Sequence, residues 1–219
     1  MKKVQRPDLS HEKKLWRQGR RLVVGLDEAG RGPLAGPVTA AAVMVRQFSI
    51  FNFQFSKKSK IQNLELTDIR DSKKLSARRR EEWYGFLTSH PDIKWSVGLA
   101  SEKEIDRLNI LAATKLAMKR ALANLAIKPD QLLLDGNFLL EELSVSQTAV
   151  VRGDEKIVSC AAASIIAKVT RDRLMLRYHK KYPQYGFDHH KGYGTRQHFR
   201  AIKKHGPCVL HRRSFRGTK

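Results

Sequence analysis

Apolar positions along the chain fall into short blocks of strand length, separated by longer amphipathic stretches. Residues 22–26 (LVVGL) and 38–45 (VTAAAVMV) are two such blocks. Between them runs DEAGRGPLAGP, in which Gly30, Gly32 and Gly36 permit tight turns and close backbone approach to a ligand. Pro33 and Pro37 withdraw two amide donors, so no central strand crosses this bend. Strands are also predicted over 93–100, at 132–134 before Asp135-Gly136-Asn137, and at 149–151. Phe51, Phe53 and Phe55 alternate with polar residues, as in a strand with one buried face, and KKSKIQN (57–63) reads as a solvated turn.

Helices alternate with these blocks. Ser76 is placed to cap a helix over 78–87 that carries Trp83, Phe86 and Leu87. Ser101 and Glu104 form a capping-box pattern opening a helix with Ile105, Leu108, Leu111, Ala112 and Leu116 on its apolar stripe. A long helix is expected over 157–182, alanine-rich first and basic later, and residues 1–21 form a partly helical lead-in pinned by Trp16. Such alternation predicts an α/β layered domain with a mixed sheet, whose ligands sit at strand ends.

Composition narrows the class. One domain is the default for 219 residues, and no run approaches the roughly 18 apolar residues of a membrane span. The N-terminus lacks the apolar core of a secretory signal. Cys160 and Cys208, without CxxC spacing, fit a reduced cytoplasmic protein, with Cys160 a core residue. The net charge of +22 is unevenly spread. Residues 1–21 carry 8 basic and 2 acidic side chains, 168–219 carry 15 and 2, and 22–167 carry 20 and 17. A near-neutral body with two basic ends predicts a polyanion partner.

Four acids carry the candidate chemistry. Asp27 and Glu28 close the first strand and Asp135 closes the LLLD strand, on one edge of the sheet. Asp172 follows Ala161, Ile165 and Val169 on the inward stripe of the long helix, although a surface pair with Lys168 is the plainer reading. Any one of these alone reads as a surface charge. Together they predict a shared hard divalent cation, Mg²⁺ or Mn²⁺ rather than zinc. Adjacent strand residues face opposite ways, so Glu28 either rotates inward at the bend or contributes its backbone carbonyl.

The motifs GLDEAGRGPLAGPV, DSKKLS (71–76), LLLDGN, GDEK with AAASIIAKVTRD (153–172), HKGYGT (190–195) and HRRSF (211–215), in this order, resemble bacterial ribonuclease HII. The resemblance implies a ribonuclease-H-like α/β fold with a helical C-terminal region, in one catalytic domain over 1–219. It implies a monomeric, cytoplasmic, metal-dependent endoribonuclease serving DNA replication and repair. This enzyme would hydrolyse the RNA of RNA–DNA hybrids and nick duplex DNA 5′ of embedded ribonucleotides. Asp27, Glu28, Asp135 and Asp172 map onto the catalytic, metal-binding acids. Gly30, Arg31 and Gly32 map onto the motif that reads the ribose 2′-hydroxyl, and Tyr193 onto a residue packing on the adjoining deoxyribose. The stretch from Arg46 to Arg70 is longer than the family pattern, and no sliding-clamp peptide is visible.

Lys73 and Lys74 are expected at phosphates, with about 175–219 as a basic substrate-binding region, and Lys156 is a further candidate. His189 and His190, without partners at ligand spacing, are expected as phosphate contacts or exposed side chains. A non-catalytic RNA binder would explain the charge but not the acids at strand ends. A nucleotide cradle would need GxxxxGK[ST], which is lacking.

Overall fold

A computed structural model describes residues 6–46 and 66–218. The predicted Phe51–Phe53–Phe55 strand and the KKSKIQN turn lie outside these residues. Helix α1 (Ser10–Arg17) precedes β1 (Val23–Ala29) and β2 (Val38–Val45), and α2 (Ala77–Ser89) leads to β3 (Ile93–Ala100). Then come α3 (Glu102–Leu108), α4 (Ile110–Asn124), β4 (Gln131–Asp135), β5 (Ser146–Val150), α5 (Val158–Lys181), α6 (Phe187–His190) and α7 (Arg196–His205).

The strands form one mixed sheet in the order β3-β2-β1-β4-β5. β1 runs antiparallel to β2 and parallel to β4. Both faces of the sheet are covered, so all eight residues of β2 are buried. Alternation divides its side chains between two cores. Ala41, Val43 and Val45 join Trp83 and Ile165 on the α2/α5 side, whereas Ala40, Ala42 and Met44 join Ala117 and Met118 on the α4 side. Glycines set how closely the helices approach. A Cβ on Gly25 would lie 2.4 Å from the Ser159 carbonyl carbon of α5, and one on Gly98 would lie 2.3 Å from the Ala117 carbonyl oxygen of α4.

The capping box at Ser101 and Glu104 forms as expected, but the helix it opens ends at Asn109. Asn109 sits at φ +74 and its Oδ1 accepts from the amides of Leu111 and Ala112, capping a second helix. The break resets the phase of the apolar stripe. Ala113, Ala117, Met118 and Ala121 turn inward, while Leu111 is 41% exposed. Leu111 therefore falls outside the predicted buried face and Ala112 is only half-buried, whereas Leu116 is half-buried against that same core.

Trp16 is buried in the same core as α5, as expected of the lead-in. Glu12 is buried too, and its Oε1 accepts from the Ser159 amide in the first turn of α5. Ile157 offers that helix no side-chain cap, so Glu12 supplies one from a distance. No described helix is long and apolar enough to cross a membrane.

Candidate active site

Parity and register bring the first acids together. Leu26 pairs with Leu134 across the parallel β1/β4 ladder, so Asp27 and Asp135 follow as neighbours. Val23 and Leu133 face α5, and Asp27 and Asp135, an even number of residues on, face it as well. Asp154 joins them from a single 3-10 turn, Gly153–Glu155, ahead of α5. One oxygen from each of Asp27, Asp135 and Asp154 lies within 4.8 Å of the others. The Gly153 amide donates to Asp135 Oδ1 at 2.6 Å, tying that turn to β4.

Little positive charge balances this group. Burial, then Glu28, Asp135 and Asp154, hold the Asp27 carboxyl well above the usual carboxylate range. Burial also raises Glu28, against the opposing pull of Arg31, and burial with Asp154 raises Asp135. Asp27 Oδ2 and Glu28 Oε2 are buried without a hydrogen-bond partner. Lys73 Nζ donates to Asp154 Oδ2 at 3.0 Å. Burial works against the Lys73 charge, but that bond, with Asp154, Asp27 and Asp71, keeps its pKa raised. Orphaned, clustered carboxylate oxygens fit a hard divalent cation held by oxygen ligands.

A cleft of about 240 Å³ opens over these acids. Asp27, Glu28, Gly30, Arg31, Gly32, Lys73, Asp135 and Tyr193 from the sequence reading all line it, with Ser72, Ser164 and Lys168. Arg31 donates to Glu28 Oε1 at 3.3 Å. Tyr193 is 41% exposed, with Lys168 Nζ 5.7 Å from its ring centre. Gly30 has a positive φ, and a Cβ there would lie 2.1 Å from Arg171 Nε. Gly32 differs. Its φ is not positive, and a Cβ would meet nothing nearer than Tyr193 Cε1 at 3.9 Å. The fold itself does not demand glycine at that position.

Other expected contacts lie elsewhere. Asp172 is outside the group formed by Asp27, Asp135 and Asp154, and its Oδ1 accepts from Lys168 Nζ at 2.8 Å. Lys168 itself lines the cleft. Lys74 pairs with Glu155 at 3.2 Å and does not line the cleft. Lys156 Nζ donates to the Val151 carbonyl at 2.7 Å and does not line the cleft. His190 is buried, not exposed. Its Nε2 lies 2.7 Å from the Tyr185 carbonyl, and its ring stacks on His198. The sequence reading missed Asp154. Its signal was the GDEK turn placed immediately before the long helix.

With this geometry in place, comparison with known proteins gives a consistent result. A family model described as Ribonuclease HII matches residues 24–218. A ribonuclease HII of Acetivibrio thermocellus is 47% identical over 205 residues, covering 94% of this chain and 73% of the relative. One from Geobacter metallireducens is 46% identical, covering 95% of this chain and 93% of the relative. The crystal structure of ribonuclease H2 from Pyrococcus horikoshii superposes with a TM-score of 0.68 at 28% identity, covering 90% of this chain and 94% of that one. The mixed sheet, the acids on β1 and β4 and these likenesses agree: the chain belongs to the ribonuclease HII family and is a hydrolase of the ribonuclease H type.

Proposed function

We propose that residues 1–219 act as one monomeric, cytoplasmic catalytic domain that hydrolyses the RNA strand of RNA–DNA hybrids. The same site nicks duplex DNA on the 5′ side of an embedded ribonucleotide, in replication and repair. The observation that carries this reading is a cluster of buried carboxylates, two with orphaned oxygens, opening on the same cleft as the unobstructed Gly32.

Asp27, Glu28, Asp135 and Asp172 are the proposed ligands of Mn²⁺ or Mg²⁺, with Asp154 beside them. Bound there, two such ions supply a water nucleophile near neutral pH and stabilise charge on the leaving oxygen. The chain's residues orient the strand. Gly32, lacking a side chain, lets the backbone of Gly30, Arg31 and Gly32 reach a 2′-hydroxyl, the group that separates RNA from DNA. Tyr193 packs on the neighbouring sugar, and Lys73 and Arg31 meet phosphate oxygens. Water adds to phosphorus, the bond from phosphorus to the 3′ oxygen breaks, and that oxygen takes up a proton. The products carry a 5′-phosphate and a 3′-hydroxyl.

The test is nicking of a duplex with one ribonucleotide during an Mn²⁺ titration. The wild type is expected to cut 5′ of the ribonucleotide and to stop in a chelator. Asp172→Asn and Asp154→Asn should each raise the Mn²⁺ requirement by about 10–100-fold. A wild type inert throughout the titration would leave only a polyanion binder. A change confined to Asp154→Asn would remove Asp172 from the ligand set.

A further inference from the structure

Arg171 and the HRRSF stretch take no part in the chemistry above, yet they contain two fully buried guanidinium groups. Neither Arg171 nor Arg212 forms an ion pair among the described residues; their donors go to backbone carbonyls. Arg212 Nε and Nη2 reach the Gly36 carbonyl at 2.9 and 2.7 Å, Nη1 reaches that of Arg31 at 2.9 Å, and Nη2 reaches that of Gly30 at 2.6 Å. Arg171 donates at 3.0 Å to each of Pro37, Ala35 and Lys191. The Arg212 amide takes the Leu34 carbonyl at 2.9 Å. The carbonyls of Gly30, Arg31, Ala35, Gly36 and Pro37, five of the eight in the bend between β1 and β2, are therefore turned onto these two side chains.

The consequence follows from peptide geometry. In a planar trans peptide the N–H points opposite to the C=O. With the Gly30 and Arg31 carbonyls aimed at Arg212, the amides of Arg31 and Gly32 face away from it. Among the described residues neither amide donates to a protein acceptor, and both residues line the cleft. An apolar side chain of similar volume would avoid the desolvation cost of a buried guanidinium. It could not hold several carbonyl directions at once, as a rigid fork of five donors does. The fork is itself held. The Phe215 ring centre lies 5.0 Å from the guanidinium, and Asp106 of α3 accepts from the amides of Arg213 and Ser214 at 2.9 Å.

We propose that Arg212, supported by Arg171, is the positioning residue that aims the Arg31 and Gly32 amides at the ribose and so sets the response to a 2′-hydroxyl. This rests on the sugar-reading role given to the loop above. It predicts a separation of turnover from general duplex binding. In Arg212→Gln, kcat on a single-ribonucleotide duplex should fall about 100-fold. The inhibition constant of an all-DNA duplex of the same sequence should stay unchanged. Arg212→Lys, which keeps the charge but not the fork, should recover only part of the loss. The amide resonances of Arg31 and Gly32 should move in Arg212→Gln while that of remote Gly98 stays put.

Wild-type kcat in Arg212→Gln, or a weakening of DNA inhibition equal to the loss in kcat, would overturn the proposal. Should the glutamine variant fail to fold, a folded Arg212→Lys with wild-type kcat would overturn it equally. Unmoved Arg31 and Gly32 resonances would do so without reference to activity. A wild type that leaves the ribonucleotide uncut would instead count against the reading of the site.

Discussion

Asp27 and Glu28 each keep a buried carboxylate oxygen without a partner, while Arg171 and Arg212 spend their donors on the carbonyls of the adjoining loop. Both sets are buried charge beside one cleft. The acids repel one another and stay incomplete until something cationic arrives from outside. The arginines are completed from within, by dipoles of the chain itself. An unfinished polar group marks where a ligand belongs, and a finished one marks the scaffold that aims it. Both carry a desolvation cost, left open at the first and offset by backbone dipoles at the second.

The sharpest way to break this contrast is Asp27→Asn. It should lower cleavage about a thousandfold, as expected for a member of a catalytic unit. In chelator it should also raise Tm by about 2–4 °C, since one repelling charge is gone. A lower Tm without metal would mean the acids are satisfied internally after all. Next come two glycines of the same loop. Gly36→Ala, at φ +87 with Met175 Sδ only 2.4 Å from the added carbon, should cost about 1–3 kcal/mol in denaturant unfolding. Gly32→Ala should leave unfolding unchanged and reduce kcat/KM about tenfold, because only a bound sugar meets the new methyl.

The smallest effect concerns the histidines behind Tyr193. His198 Nδ1 lies 3.0 Å from the Tyr193 carbonyl, and its Nε2 lies 3.0 Å from His211 Nε2. Burial is the main cause that brings both rings down to about 4 from an ordinary 6.5. Below 6.5 the unfolded chain binds protons that the folded rings refuse. Their share of stability is therefore full above pH 6.5 and lost as pH falls towards 4. His198→Asn, which keeps a donor for that carbonyl and cannot titrate, should flatten this part of a Tm-against-pH curve.

Much of the site was legible because strand parity is a local rule. LVVGLDE and LLLD each carry an acid past an apolar run, and the parallel register then makes Asp27 and Asp135 neighbours. Asp154 was not legible, because a short acidic turn has no periodicity to say where it lands. Arg171 and Arg212 count with the basic residues of 168–219, and His190 reads as a phosphate contact or exposed side chain, since composition does not distinguish a solvated polar group from one buried among carbonyls. The break at Asn109 was hidden by an apolar pattern that continues across it. Only the cap formed by its side chain shows the second helix starting afresh.

The hydrogen bonds from Arg212 to Gly30 and Arg31 join positions 182 and 181 residues apart. During synthesis, β1 and its bend leave the ribosome long before the residue that orients them exists. The nascent chain can therefore bring Asp27 and Asp135 together before Arg212 is there to fix the loop beside them. A device that spans most of the chain in this way is set only after every strand of the sheet has been made.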